Sequence, residues 1–350
     1  MKTSILFISI LLAALPAIPC SRVLWNSSGG DVIVGRNMDW FEDIRTNMWT
    51  LPRGMSRDGL APENSMKWTS KYGSVVLSVY DVGVAEGLNE KGLTVNMLYL
   101  TESDFGKRNS NLPGMSVSLW AQYYLDNFMT VAEAIEETQR KPFQVLMATV
   151  GSKKGTVHLA MSDKSGDSAV IEYINGQPKI YHGHEYKVMT NSPPFSDQLT
   201  ALKKYKGFGG QLALPGTTDA ADRFVRAAYY LDHLPPSKDY REAVAGVFSV
   251  MRNVSQPFGE PDPARPYIST TRWRTVADLT KRVYFYESVL SPNVIWANAS
   301  KINFAKGQPV KKITLVRNFD LIGDVTNKFK PTKMFDFLKP DIEPALKANR

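Results

Sequence analysis

Spacing of apolar and polar side chains divides the chain into short strands and a few amphipathic helices. The pattern predicts a first hairpin, with strands over Ser21–Trp25 and Asp31–Asn37 and a turn over Asn26–Gly30. Strands follow over Trp49–Arg53 and Ser74–Tyr80. A turn at Asn89-Glu-Lys-Gly92 leads into a strand over Leu93–Leu100, with Thr94, Asn96, Leu98 and Leu100 on one face and Val95, Met97 and Tyr99 on the other. Val117, Trp120, Tyr124 and Phe128 recur at helical spacing, so Ser116–Phe128 reads as a helix. A second helix starts at the capping box Thr130-Val-Ala-Glu133 and completes a helical hairpin with the first.

Residues Thr156–Thr190 carry the clearest β signal. Strands Val157–Ser162, Ser168–Ile174, Gln177–His182 and Tyr186–Thr190 are expected to form one meander, with a type I′ turn at Asn175-Gly176. A helix starts within Thr217–Asp222 and runs to Leu234, where Pro235-Pro236 stops it. Another helix covers Tyr240–Val254, and an antiparallel set covers Trp273–Leu279, Arg282–Glu287 and Asn293–Ala297. The basic tail past Ile313 shows no element. Strands joined by hairpins, with helices between groups rather than after every strand, imply an α+β fold. Two antiparallel sheets packed face to face with helices outside fit this order.

Residues 1–19 change the picture at the start. Lys2 followed by the apolar run Ile5–Ala14 has the length of a signal-peptide core and is too short to span a bilayer. The expected organisation is a leader over 1–19 and one domain over 20–350, exported and soluble, without a stable membrane anchor. The net charge of +8 is spread in pairs such as Lys153-Lys154 and Lys311-Lys312, so a nucleic-acid partner is not expected. Gly114-Met-Ser-Val-Ser118 lacks the last glycine of a nucleophile elbow. No phosphate-binding loop or zinc spacing occurs, and His182-Gly-His184 reads as a surface pair. No metal or cofactor is expected.

One cysteine, Cys20, stands immediately after the leader, which excludes an internal disulfide. If the first turn centres on Ser28, Cys20 faces Arg36 across the hairpin at roughly 4.5–5.5 Å between Cα atoms. Asp39 lies just beyond the return strand. Cutting the bond before Cys20 joins a thiol to a free α-amine, a complete nucleophile and base. The amine has an ordinary pKa of about 7.7–8.0, so part of it is neutral near pH 7. No histidine is needed.

These residues, with Gly35-Arg-Asn-Met-Asp39, Gly87-Leu-Asn-Glu-Lys-Gly-Leu93, Met189-Thr-Asn-Ser-Pro193, Leu214-Pro-Gly216 and Asp222-Arg-Phe-Val-Arg226, resemble the choloylglycine hydrolases. That family of N-terminal nucleophile hydrolases includes penicillin V acylases and conjugated bile salt hydrolases. The likeness runs from Cys20 to Phe304. Thr69-Ser-Lys-Tyr-Gly73, Trp120-Ala-Gln-Tyr123 and Ser269-Thr-Thr-Arg-Trp-Arg274 make it most similar to the exported, penicillin V acylase-like branch of Gram-negative bacteria.

The resemblance implies a four-layer αββα sandwich and hydrolysis of a linear amide C–N bond through an acyl-enzyme. It implies that Cys20 attacks the amide carbonyl and that its α-amine carries the proton to the leaving amine. Arg36 is then a cation favouring the thiolate, and Asp39 the acceptor that holds the amine. Asn191 and the backbone N–H of Tyr99 are the oxyanion donors, with Arg223 as support. Trp25, Trp40, Tyr80, Tyr99 and Trp120 supply an apolar lining for an acyl group, as in penicillin V or an N-acyl homoserine lactone. A conjugated bile salt is the alternative substrate, although Tyr99 stands where that branch has Asn. Family likeness also raises a homotetramer. The rival reading is a lipoprotein anchored through Cys20, against which Pro19 stands, since lipidation signals place a small residue there.

Overall fold

Residue burial separates the apolar side chains into two cores, one between two sheets and their first helical layer, the other beneath a second helical layer. The computed structural model describes residues 20–27, 29–258 and 269–341. The expected leader over 1–19, the expected turn centre Ser28 and the last residues 342–350 lie outside the described residues.

The chain begins with β1 (Cys20–Asn26), β2 (Val32–Trp40), β3 (Met48–Leu51), β4 (Ser56–Asp58), β5 (Lys67–Thr69), β6 (Ser74–Val79), β7 (Gly83–Asn89) and β8 (Thr94–Tyr99). Next come β9 (Gly114–Ser116), α1 (Val117–Asn127), α2 (Val131–Arg140), β10 (Gln144–Leu146), β11 (Thr149–Val150) and β12 (Lys153–Lys154). A further group is β13 (Val157–Ser162), β14 (Ser168–Ile174), β15 (Gln177–His182), β16 (Val188–Met189), α3 (Phe195–Leu202), α4 (Ala220–Asp232) and α5 (Tyr240–Asn253). The chain closes with β17 (Thr270–Asp278), β18 (Val283–Ser288), β19 (Val294–Asn298), β20 (Lys311–Ile313), β21 (Gly323–Asp324) and β22 (Lys330–Pro331).

Sheet one has the order β16-β1-β2-β17-β18-β19-β21, and sheet two the order β15-β14-β13-β8-β7-β6-β3-β20-β22. Helices α4 and α5 pack on the outer face of sheet one, and α1 and α2 on the outer face of sheet two, which makes four layers. Pairing is antiparallel in both sheets except β19 with β21, an edge pair that is parallel. Strand β2 is buried from Val32 to Asp39 because α5 covers one face and sheet two the other.

Local chemistry accounts for the helices. Ser116 caps α1 by accepting from the Ser118 N–H, and Thr130 with Glu133 forms the expected capping box of α2. Asn175 and Gly176 take φ of 53° and 72°, as a type I′ turn between β14 and β15 requires. Helix α3 has no expected counterpart. It is short, and Pro194 at its start makes no side-chain cap.

Two expectations are corrected. The meander ends at β15, because Val188–Met189 crosses to sheet one and pairs with β1 as Arg22↔Met189 and Val23↔Val188. Two residues carry too little alternation to choose a sheet, so the choice falls to packing. The first hairpin is also longer than expected. Asn26 remains in β1 and the return begins at Val32, so Cys20 faces Met38 and Arg22 faces Arg36.

Gly87 lies in tight contact beneath α1. A Cβ there would lie 2.7 Å from the Val75 carbonyl oxygen and 2.9 Å from Leu125 Cδ1. The carbonyl belongs to the neighbouring strand β6 and cannot rotate away. Gly87→Ala is therefore expected to destabilise the fold by about 1–3 kcal/mol through overpacking. Urea denaturation reads this as a lower midpoint with an unchanged slope.

Candidate active site

Cys20 opens β1 and is almost fully buried, at 2% exposure. Its Sγ lies 3.8 Å from Arg36 Nη2 and 3.7 Å from the Asp39 carbonyl oxygen. Arg36 reaches the sulfur although it does not face Cys20. The true register differs from the expected one by two residues along the partner strand. Side chains alternate faces with a period of two, so Arg36 stays on the face of Cys20 as a diagonal neighbour. A long guanidinium spans that diagonal.

Arg36 is held from the opposite sheet. Its Nε lies 3.1 Å from Glu86 Oε2, its Nη2 donates to the Met97 carbonyl at 3.1 Å, and its guanidinium sits 4.6 Å above the Trp273 ring. Glu86 of β7 is wholly buried and accepts from Thr275 Oγ1 at 2.6 Å and from the Tyr284 hydroxyl. Burial pushes the Tyr284 hydroxyl well up, and the Glu86 charge adds to it. Glu86 escaped the sequence reading, although it directly precedes the Gly87–Leu93 stretch. Its signal was a lone carboxylate in an otherwise apolar strand, Gly83–Asn89.

Burial pushes the Cys20 thiol up. Arg36 pulls it back only in part, while Asp39 pushes the same way as burial. Arg36 thus favours the thiolate, against burial and the Asp39 charge.

A third group surrounds the nitrogen of Cys20. Its N–H donates to Asn191 Oδ1, which also accepts from Arg223 Nη2 at 3.0 Å. Asn191 Nδ2 donates to the Tyr99 carbonyl at 2.6 Å. Arg223 Nη1 donates to the Cys20 carbonyl and to Ser21 Oγ, both at 2.5 Å, and lies 3.9 Å from Asp39 Oδ2. Arg223 therefore bridges to β1 rather than to Asp219 or Asp222 of its own helix start. It sits on the buried stripe of α4 with Ala220, Phe224, Ala227 and Leu231, and a charge inside such a stripe is a legible signal.

Asp39 Oδ1 accepts from Thr271 Oγ1 at 2.5 Å, while Oδ2 is buried without a hydrogen-bond partner. Burial pushes the Asp39 carboxyl up from 3.8 to about 6, against the pull of Arg223 and the Thr271 hydrogen bond.

Strands β7 and β8 pair only as far as Glu86↔Asn96 and then part. The gap opens into an apolar cavity lined by Cys20, Met38, Trp40, Tyr80, Met97 and Tyr99, among others. Trp40 Nε1 donates to the Tyr80 hydroxyl at 3.0 Å, and Tyr99 packs edge-on against Trp40 at 6.3 Å. Tyr80 and Asp81 take φ of 53° and 50°, which costs about 1–2 kcal/mol each for residues with a Cβ. Asp81 holds the turn through Trp49 Nε1 at 2.9 Å and Asn47 Nδ2 at 2.8 Å.

Trp25 and Trp120 do not line this cavity. Trp25 lies at the far end of β1 in the core of sheet one, and Trp120 packs edge-on against Phe105 and Tyr173 beneath α1. Aromatic content alone does not tell a core ring from a pocket ring. His182 meets Asp167 and His184 meets the Gly166 carbonyl, so the pair does not converge. Among the described residues no three His, Cys, Asp or Glu side chains gather as a metal set, and no helix is long and apolar enough to cross a membrane.

The family model of linear amide C–N hydrolases, choloylglycine hydrolase family, matches residues 20–312 and so begins at Cys20. The chain belongs to the choloylglycine hydrolase family. Like the family, it is a hydrolase of linear amides. A penicillin V acylase of Pectobacterium atrosepticum is 41% identical over 94% of this chain and 95% of its own length. The structure of a penicillin V acylase from Agrobacterium tumefaciens is 47% identical and superposes with a TM-score of 0.83, covering 91% of this chain and 99% of that one. A bile salt hydrolase/transferase of Clostridium perfringens is 24% identical over 77% of this chain and 89% of its own. The neighbours and the four layers together give the N-terminal nucleophile hydrolase sandwich.

Two outcomes are expected from this geometry. Glu86→Ala strands the buried Arg36 charge and should cost about 3–5 kcal/mol by chemical denaturation, whereas Glu86→Gln, which still accepts from Thr275 and Tyr284, should cost less. In the form that keeps residue 19, folded Asp39 holds a proton that the unfolded chain releases above 3.8. Its contribution to stability is therefore lost as pH rises from about 4 to about 6. The stability difference between wild type and Asp39→Asn should shrink by up to about 3 kcal/mol across that window, and a flat difference contradicts the assignment.

Proposed function

We propose that the chain is exported, trimmed to Cys20 and then hydrolyses amides with an apolar acyl group, penicillin V being the model substrate. The observation that carries this reading is the convergence of the Cys20 sulfur and nitrogen with Arg36, Asp39, Asn191 and Arg223 at one end of an apolar cavity. The 41% identical relative is named a penicillin V acylase, which supports the same acyl side. An N-acyl homoserine lactone has the same linear amide and an apolar tail, and belongs in the same substrate panel.

Removal of residue 19 turns the Cys20 N–H into an amine that takes the thiol proton directly or through one water. Sulfur then attacks the substrate carbonyl. Asn191 Nδ2 carries two hydrogens and commits one to the Tyr99 carbonyl, leaving the other for the oxyanion. Tyr99 supports a second donor. Leu100 N–H donates to Thr156 across β13, so alternation turns the Tyr99 N–H to the opposite edge, where β7 has parted from β8. The ammonium passes its proton to the leaving amine as the C–N bond breaks. Water hydrolyses the thioester and restores the thiol. Asp39 Oδ2, buried and without a partner, is the acceptor that orients the amine.

Turnover should fall to background in Cys20→Ala while the thermal midpoint stays near that of wild type; retained hydrolysis would refute the nucleophile. Asn191→Ala removes an oxyanion donor and should lower kcat by at least about 100-fold. The mass of the mature protein should match a chain starting at a bare Cys20, whereas added acyl chains would point to a lipoprotein.

A further inference from the structure

The segment that follows Ile313 lies beyond the part of the chain matched by the family model, which ends at residue 312. Its last described stretch, residues 332–341, runs as a strap without regular secondary structure across the helical side of sheet two. Thr332 N–H donates to the Val310 carbonyl at 2.9 Å. Leu338 N–H donates to the Val82 carbonyl at 2.8 Å, in the turn between β6 and β7. The Leu338 carbonyl accepts from Ser116 Oγ at 2.6 Å and Ser118 Oγ at 2.8 Å, at the start of α1. Asp341 N–H donates to the Met147 carbonyl at 2.8 Å, and its carboxylate accepts from the Thr149 N–H at 3.1 Å and Thr149 Oγ1 at 2.6 Å. Phe335 meets Trp49 edge-on at 5.1 Å, and Phe337 lies 5.6 Å beneath the Arg57 guanidinium.

Leu338 is the strap residue that lines the cavity of Cys20. Cys20 and Met38 reach the cavity from sheet one, whereas Val117, Ser118 and Leu338 reach it from the helical layer. Sheet two lies between, and the cavity passes through it where β7 and β8 part. An acyl group with its carbonyl at Sγ thus points its tail through the gap toward Leu338.

We propose that the strap is the far wall of the acyl pocket and that Leu338 sets the length of acyl chain the pocket accepts. This rests on the amide-hydrolase site described above. The Leu338 main chain is bonded through both its N–H and its carbonyl to separate elements, so it does not swing aside. The adjustable part of the wall is its side chain.

The test reads binding rather than turnover. In Cys20→Ala, affinities are measured by calorimetry for straight-chain N-acyl homoserine lactones from about four to about fourteen carbons. Each added methylene should tighten binding about fourfold until a limiting length is reached, beyond which affinity drops. Adding Leu338→Ala should move that limit outward by about two to three carbons, and Leu338→Trp should move it inward. Leu338→Val, which trims the side chain without emptying the site, should move it outward by about one carbon and serves if Leu338→Ala does not fold. An identical limit in every variant overturns the role of Leu338 and leaves the hydrolase reading standing. A series in which no member binds defeats the acyl-amide reading, and the proposal with it.

Discussion

The ion pair between Arg36 and Glu86 is the constraint on which the site depends. Arg36 belongs to sheet one and Glu86 to sheet two, and both are buried to about the limit of exposure. Glu86 Oε1 takes its hydrogen bonds from Thr275 and Tyr284, so a carboxylate of one sheet is held by the ion pair and hydrogen bonds of the other. Such a pair contributes little net stability compared with packed hydrocarbon, because both ions lose their hydration. What it supplies is a lock on how the two sheets slide past each other, together with a cation fixed beside the Cys20 sulfur. With Glu86 in place, Arg36 spans the interface to the Met97 carbonyl, while the Trp273 ring of its own sheet lies 4.6 Å from its guanidinium.

From that lock the remaining geometry follows by layers. Parting of β7 from β8 beyond Asn96 uncovers backbone groups of β8 and opens a passage from Cys20 to the helical side of sheet two. The turn at Tyr80 and Asp81 keeps two non-glycine residues in the left-handed region, because Tyr80 must present its ring to the cavity while Asp81 ties the turn to Trp49 and Asn47. Backbone strain is held there by the hydrogen bonds of the half-buried Asp81 carboxylate. Arg223 does comparable work on the other side of Cys20: it fixes the Cys20 carbonyl and the Asn191 side chain at once, so Cys20 and Asn191 share one anchor.

Much of this was legible from residue order, and its limits are instructive. The capping box at Thr130, the Asn175-Gly176 turn and the helices ending near Leu234 and Val254 are local chemistry, and they form where local chemistry places them. The glycines of the quoted stretches have steric reasons visible only in three dimensions: a Cβ at Gly35 would meet Met251 of α5 at 2.6 Å, and one at Gly87 the Val75 carbonyl. Trp25 and Trp120 were misread because an aromatic ring carries the same apolar signal in a core as in a pocket. Glu86 passed unnoticed because a single carboxylate in a strand usually faces water.

By itself the sequence determined the period and length of most elements, the face to which each strand residue belongs, and a lone thiol at Cys20. Those are properties of neighbours along the chain, set by backbone sterics, side-chain alternation and turn chemistry. Tertiary structure alone decided which strands pair. It moved Val188–Met189 out of its meander to the edge of β1, and so brought Asn191 to Cys20 across a separation of 171 residues. Local alternation specifies a face but not a partner, since any register differing by two residues presents the same face. The choice among such registers is made by the buried pairs and close contacts that only the assembled layers contain.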